Sequence, residues 1–478
     1  MKNMTFIRFL IGVFVFFFVG YITFNLLTLI NKENQPLIFR VQHIDPHKIK
    51  VNGYTVRLVD NRLYALTMNT LYPTRIQIED QTKYITIPQL TKDTYIPITI
   101  KTKNNKQTFH LYTLPYDFPI VWAEQHQKHS DNGYILTSLH GLKLLNPSYA
   151  MILKTNGELV WYRGNEQIDM STFHLQQHRL KNKVRYSMHI QTDRLSSSFI
   201  RGKHLLMNEK FDVIDEIQVL PTHRHPQMPA DEHEFVYIDD NHYIVLGYYL
   251  KKSFIPIYNK TVSYVSVIIQ EQKNGNVIFE WMSDDYLKTF SSCFERCVGH
   301  NVPDYIHINS VFIDPKDNHL IVSSASGDYI LKIHRKTGQV LWHLGGNNSD
   351  FSLKKEHVFI RQHDVQMLHN NWLMMFDNGI GQMPTPQRKA LFHASRILQL
   401  QLDEKQKQIL AFKEIPVNED IAYMGSSHTM PNGGMLVGCG SSTQCFAKRL
   451  NNKFDVLYQL KTKSPYFSYR SYYVDKLN

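Results

Sequence analysis

The chain has 478 residues, 43% of them apolar, too long for one small core and apolar enough to bury a large one. It carries a formal net charge of +11, and 24 histidines besides. Lysine and arginine are scattered rather than clustered, which argues against a nucleic-acid surface and for a positive field that draws small anions to the protein.

The first 35 residues stand apart. Phe9 to Ile30 is an unbroken, mostly apolar and aromatic stretch, long enough to cross a bilayer core of about 30 Å. Lys2 and Arg8 precede it, so by the positive-inside rule the N-terminus stays cytoplasmic and everything after Asn31 lies outside. A cleaved signal peptide would have a shorter apolar core and a small-residue site, whereas Asn25 to Ile30 is bulky. The expectation over 1–35 is an uncleaved, single-pass signal-anchor in the inner membrane. The main domain then faces the periplasm, and a homodimer is compatible with that placement.

Residues 36–120 have a different texture: short alternating runs such as KIKVNGYTVRLV, RIQIED, YITIPQL and FHLYTL, broken by Asn-Gly, Asp-Gln and Lys-Asn-Asn turns. They predict a small antiparallel β-sandwich with half-buried strands. Nothing in this segment suggests catalysis.

From residue 121 onward the chain repeats itself. Five times a histidine opens a short apolar strand and an Asn-bearing turn leads into a second strand: His174, His233, His307, His363 and His428. Successive copies lie 59, 74, 56 and 65 residues apart. The second half of the repeat appears as KTNGELVWY, KNGNVIFEW and KTGQVLWH, in which a Gly turn leads into a strand ending near Trp161, Trp281 or Trp342. Glycine supplies the positive φ of such a turn, and the aromatic fills space between neighbouring sheets. The period predicts an all-β propeller over 121–478, of five, six or seven blades. In such a ring, equivalent positions of successive blades converge on one axis. A single polar residue at the mouth of an inner strand often just satisfies backbone groups, but five histidines at one repeat position point to a site. His233, His307 and His363 are the sharpest candidates because Asp231, Glu232, Asn309, Arg361, Gln362 and Asp364 lie beside them. His174 has an alternative in His178, and His428 sits among Ser426, Ser427 and Thr429, so both also fit a structural role.

Four cysteines form two close pairs, Cys293 with Cys297 and Cys439 with Cys445. Outside the cytoplasm such pairs become loop-stapling disulfides more often than metal ligands. A zinc site at Cys293, Cys297 and His300 would need further ligands at matched spacing, so no metal is expected.

Several imidazoles without a carboxylate pair suit transfer of a small anionic group. A neutral imidazole is a nucleophile near pH 7, and a second serves a phenol-like leaving group as acid or base. Walker A and dinucleotide fingerprints are absent, so no nucleotide donor or other cofactor is expected.

The segments TLPYDFPIV, TNGELVWYRG, YIHINSVFID, QHDVQML with NWLMMFDNG, and SRILQLQLDE resemble the bacterial arylsulfotransferase family over about residues 36–460. The resemblance implies a six-bladed propeller behind an N-terminal β-sandwich. It also implies sulfuryl transfer from an aryl sulfate to a phenol through a sulfohistidine. Residue by residue, His363 matches the sulfated histidine, His307 and Asn309 the pair that binds sulfate and assists the leaving phenol, and His233 the histidine of the preceding blade. Arg361 and His428 join Asn309 as expected substrate contacts. Where the family has an arginine in the strand after His-x-Asn, this chain reads Ser323-Ser324-Ala325-Ser326. An arginine there would grip sulfate oxygens in a bidentate fork. Its loss keeps open a catalytically silent propeller that binds an anionic or aromatic ligand or a partner protein. A quinone-cofactor dehydrogenase would want acidic calcium ligands that the sequence lacks.

Overall fold

The computed structural model describes strands between residues 36 and 114 by their backbone. It describes residues 118–478 in full except 120, 142–147, 165–169, 181–182, 197–198, 256–258, 287–303, 381–388 and 463–465. The expected anchor over 1–35 and the Cys293–Cys297 pair lie outside the described residues. Among those described, no helix is long and apolar enough to cross a membrane.

The chain divides into two compact units, Met1–Phe118 and Pro119–Asn478. In the first, Arg57–Val59, Arg62–Met68, Pro36–Val41, Lys106–Leu114 and Tyr95–Lys101 form a five-stranded antiparallel sheet in that order. Tyr54–Thr55, Ile49–Val51, Thr74–Ile78 and Ile85–Ile87 form a four-stranded one. The face-to-face packing that a sandwich requires rests on side chains outside the described residues.

The second unit is a six-bladed β-propeller, one antiparallel sheet to a blade. Blades 2 to 5 run outward in chain order from the inner strands Thr172–Leu180, Phe235–Asp239, Ile308–Ile313 and His363–Met367. Blade 6 starts at Ser426–Thr429, and its outer strand Val456–Thr462 pairs with Val121–Gln125 from the start of the unit. Blade 1, Tyr134–Gly141 to Leu159–Gly164, takes its inner strand from the C-terminus, Tyr466–Val474. Both ends of the unit therefore close the ring. The sixth inner strand has no histidine in its core: it presents Tyr469 and Arg470.

Burial follows from the stacking of blades. Middle strands such as Leu320–Ser324 and Tyr329–Ile333 are buried along their whole length because sheets cover both faces. The outer strand Gln408–Pro416 is mostly exposed. The repeated turns perform as expected: Gly157, Gly275 and Gly338 take φ of 81°, 73° and 74°. Their tryptophans fill inter-blade space, with Trp161 stacked on Phe211 of blade 2 at 4.6 Å and Trp342 packed against Phe351 and Leu398. One charge is buried in the middle of blade 4. Lys332 Nζ lies 2.7 Å from each of Asp314, Asp317 and Glu404. A buried ammonium is tolerated only with such partners, and here the partners also tie blade 4 to blade 5.

Candidate functional site

Irregularities in the inner strands set the site. Register shifts occur between Phe173 and Gln176, Ile308 and Ser310, and His363 and Gln366, and in blade 1 Tyr469 and Arg470 fall in the equivalent gap. Such bulges bend a strand and re-aim its side chains. Around them His174, His307, Arg361 and Asp364 adopt φ of 54°, 36°, 52° and 51°. Non-glycine residues seldom take these values, and such strain collects at functional positions.

His363 is the best-defined group. Its Nδ1 lies 2.8 Å from the carbonyl oxygen of Arg361 and 2.8 Å from Asn378 Oδ1. Asn378 donates through Nδ2 to the carbonyls of Ile421 and Met424 at 2.7 and 3.0 Å, so its Oδ1 must be the acceptor. Both oxygens facing Nδ1 can only accept, so the proton sits on Nδ1 and the lone pair on Nε2. The Met424 amide donates to Nε2 at 3.3 Å. Burial holds the ring well below the ordinary histidine range; the Asn378 bond opposes this, and the charges of Arg361, His307 and His233 reinforce it.

His307 and His233 are oriented differently, each by a carboxylate. His307 Nδ1 is 2.7 Å from Asp304 Oδ2, and His233 Nδ1 is 2.7 Å from Asp231 Oδ1. Their rings meet edge-on with centroids 4.8 Å apart. Burial lowers the pKa of His307; Asp304 opposes the shift, and the charges of His233 and Arg361 add to it. Burial alone would raise Asp304, but His307, Arg361 and Ser326 hold it below its ordinary value.

Asn309 turns toward the next blade. It is fully buried, and Nδ2 donates to the Gln362 carbonyl at 2.8 Å while Oδ1 has no hydrogen-bond partner among the described residues. Gln362 reaches back, its Nε2 within 2.9 to 3.1 Å of Tyr329 O, Ser323 Oγ and Ser324 O. Ser323 and Ser324 therefore hold the segment carrying Arg361 and His363. Ala325 itself is completely buried, and its amide donates to the His307 carbonyl at 3.0 Å. Arg361 is the cation of the site. Its backbone is pinned by Asp328 at 3.0 Å, and its charge reaches His307, His363 and Asp304. Its buried Nε lacks a hydrogen-bond partner among the described residues.

His174 and His428 fall into a second cluster, around Arg470. Arg470 donates to the Asn309 carbonyl at 2.6 Å and to Glu234 at 2.9 Å, and lies 3.6 Å from Asp364. His174 is 3.3 Å from Arg470 and 2.6 Å from Tyr472 Oη. His428 is 3.3 Å from Asp364 and packs on Tyr472. A cavity of about 500 Å³ opens on this cluster, lined by Asp364, Gln366, His428 and Arg470 among others. The repeat thus brings His233, His307 and His363 together and leaves the other two beside Arg470. Asp304, Asn378 and Arg470 were missed in the sequence. Asn378 stood inside the quoted FDNG segment, whereas Asp304 and Arg470 carry no motif.

Among the described residues, two acidic sets have metal-like spacing. Asp314, Asp317 and Glu404 already enclose Lys332 Nζ. Asp231, Glu232 and His233 bring ligand atoms within 4.8 Å of one another, but Asp231 Oδ1 already accepts from both the ring and the amide of His233.

The profile described as Arylsulfotransferase (ASST) matches residues 212–460. No curated protein matches the sequence. Among solved structures, a protein of unknown function from Bacteroides caccae is similar at 11% identity and a TM-score of 0.40, covering 72% of this chain and 100% of its own. A putative 6-phosphogluconolactonase from Bacteroides fragilis aligns at 9% and 0.30 over 92% and 98%. The GH93 α-L-arabinofuranosidase of Fusarium graminearum aligns at 11% and 0.36 over 77% and 99%. Likeness this distant carries no argument about chemistry.

Proposed function

The chain belongs to the arylsulfotransferase family, and from that premise we propose that its propeller moves a sulfuryl group from an aryl sulfate to a phenolic acceptor through a sulfohistidine at His363. The observation that carries this reading is the fixed tautomer of His363: two acceptor oxygens at Nδ1 put the lone pair on Nε2, which attacks once it gives up the Met424 amide that donates to it at 3.3 Å. Its low basicity keeps it neutral, so no proton has to be removed before it acts. The attack forms an N–S bond as the bridging S–O bond breaks, and the departing phenolate takes a proton from His307 or His233. An acceptor phenol then reverses the sequence. Arg361 supplies the fixed positive charge for the sulfate oxygens, and Asn309 holds the 361–363 segment in place. His428 lies beside Asp364 and serves the substrate through it.

The apolar stretch from Phe9 to Ile30 behind Lys2 and Arg8 supports an inner-membrane anchor with the propeller in the periplasm. The sheets within 36–114 support a separate sandwich module. The loss of an arginine at Ala325 favours the second reading, a silent propeller that binds an anionic or aromatic ligand or a protein partner. Incubation with a chromogenic aryl sulfate, with and without an added phenol, separates the two. Phenol-dependent turnover and one sulfuryl group on His363 by mass spectrometry support the enzyme. Ligand binding with neither result supports the silent propeller.

A further inference from the structure

The cavity of about 500 Å³ is not part of the three-histidine site. His233 and His307 precede their inner strands and His363 opens its own. The cavity is lined farther along the inner strands, by Gln177, Tyr237, Ile313, Gln366 and Tyr472 among others. Between the two lies a layer of hydrogen bonds that crosses the ring. Tyr469 Oη donates to the carbonyls of His233 and Asn309 at 3.0 and 3.3 Å. Arg470 donates to the Asn309 carbonyl at 2.6 Å and to Glu234 at 2.9 Å. Arg470 and Glu234 also line the cavity, which therefore opens on the far side of that layer from His363.

We infer that this cavity is a second binding site, for an uncharged aromatic alcohol, and that it fills independently of the catalytic histidines. The inference does not rest on the sulfuryl-transfer reading. The walls are mainly apolar and aromatic with a few fixed polar groups, as ligand sites of this size are. Tyr237 is stacked against His178 with ring centroids 4.9 Å apart, and Tyr472 packs on His428 at 4.6 Å, so ring surfaces are held in place for a flat ligand. Gln366 sets the polarity. Its Nε2 lies 3.1 Å from Asp364 Oδ2 and 3.1 Å from the Ser427 carbonyl. Both partners can only accept, which fixes the amide nitrogen against them. Oε1 is left without a hydrogen-bond partner among the described residues. Gln177 is fixed in the same way, its Nε2 donating to the carbonyls of Lys476 and Leu477 at 2.8 and 3.3 Å. What these two amides offer a ligand is therefore acceptor oxygens, which call for a hydroxyl donor. An anion is disfavoured there. Arg470 is the fixed cation of the lining, and Glu234 at 2.9 Å and Asp364 at 3.6 Å already offset it. Burial disfavours the protonated forms of His178 and His428.

The test titrates the full chain with 2-naphthol, read by the probe's fluorescence. Two relatives serve as controls: 2-methoxynaphthalene, which cannot donate a hydrogen bond, and 2-naphthoate, which is an anion. 2-Naphthol should bind more tightly than either by about 10-fold or more, as a buried hydrogen bond made or lost would give. Gln366→Met should erase the preference for 2-naphthol over its methyl ether, whereas a merely structural change would weaken both alike. Ile313→Trp, which fills the cavity, should abolish binding. His363→Ala should keep the wild-type Kd for 2-naphthol, and saturating phenyl sulfate should not displace the probe from that variant, in which no transfer can occur. Absence of 2-naphthol binding, equal binding of 2-naphthoate, or displacement by phenyl sulfate overturns the inference. So does binding that survives Ile313→Trp, or a preference that survives Gln366→Met. If Ile313→Trp does not fold, the Gln366→Met comparison decides.

Discussion

Mild acid should destabilise the propeller strongly, because it buries neutral histidines. Burial alone pushes His140 down to about 3, and burial takes His189 to about 4 against the pull of Asp231. His140 lies flat on Phe173, ring centroids 3.9 Å apart, and His189 is 3.2 Å from the Ala230 carbonyl. In the unfolded chain each imidazole binds a proton at about pH 6.5. Below that value the unfolded state holds more protons than the native one, so stability falls with pH until the native values are reached. At about 1.4 kcal/mol per pH unit and group, the fall between pH 6.5 and 5 is about 2 kcal/mol each, or about 4 kcal/mol together. His174, His204 and His363 are shifted in the same direction. His393, raised by Asp377 despite burial, works the other way. Since a domain is commonly stable by only about 5–15 kcal/mol, urea midpoints at pH 6.5 and 5 should differ plainly. His140→Gln and His189→Gln cannot take up the proton, so each should narrow that difference by about 2 kcal/mol, whatever it costs at pH 7. Equal stability at the two pH values, or the same difference in wild type and variants, would refute the reasoning.

Five further outcomes are expected. His363→Ala should abolish the covalent adduct, and Asn378→Leu, which frees Nδ1 and loosens the tautomer, should slow its formation by about 100-fold in a quenched-flow assay. Arg361→Gln should raise the KM for the donor by about 10-fold or more, as loss of a charge-assisted contact does. Ala325→Arg should lower Tm rather than raise activity, because overpacking a filled position costs about 1–3 kcal/mol. Cys439 and Cys445 are joined in a disulfide, so Cys439→Ser should cost about 2 kcal/mol in denaturant unfolding, and non-reducing peptide mapping should find Cys293 joined to Cys297. The mature protein should begin near Met1 and stay with membranes through a high-salt wash; a soluble protein beginning beyond Asn31 would refute the anchor.

The fold was legible where the chain repeats itself. The Gly-turn-Trp segments have a local cause, a positive φ followed by an aromatic that must be covered, and each behaves as that cause requires. The histidines were legible as inner-strand residues, and three of them do meet. Their partners were not. Asp304 precedes His307 by three residues across an irregular turn, and Asn378 reaches His363 from the neighbouring strand of its blade, so neither shares a period with the residue it serves. The fate of Ala325 was equally hidden. Nothing in Ser323-Ser324-Ala325-Ser326 says that the two serines hold Gln362.

The blade count shows why a period can mislead. Five histidine-led copies left the ring open, because the sixth inner strand is drawn from Tyr466–Val474 and carries Tyr469 and Arg470 in the bulge that holds His174 and Leu175 in blade 2 and Asp364 and Val365 in blade 5. That exchange also sorts the histidines. A guanidinium buried at the centre of the ring must find acceptors, and Arg470 finds Glu234, Asp364 and the carbonyl of Asn309 from three different blades. His174 and His428 are drawn into the same network, where Arg470 and burial disfavour their protonated forms. His233, His307 and His363 lie outside it, each with an Nδ1 partner of its own. Closing the ring with a strand that breaks the repeat therefore does two things at once. It locks the blades through one buried cation, and it sets three of the five imidazoles apart from that cation's hydrogen bonds, free to take the roles proposed for them.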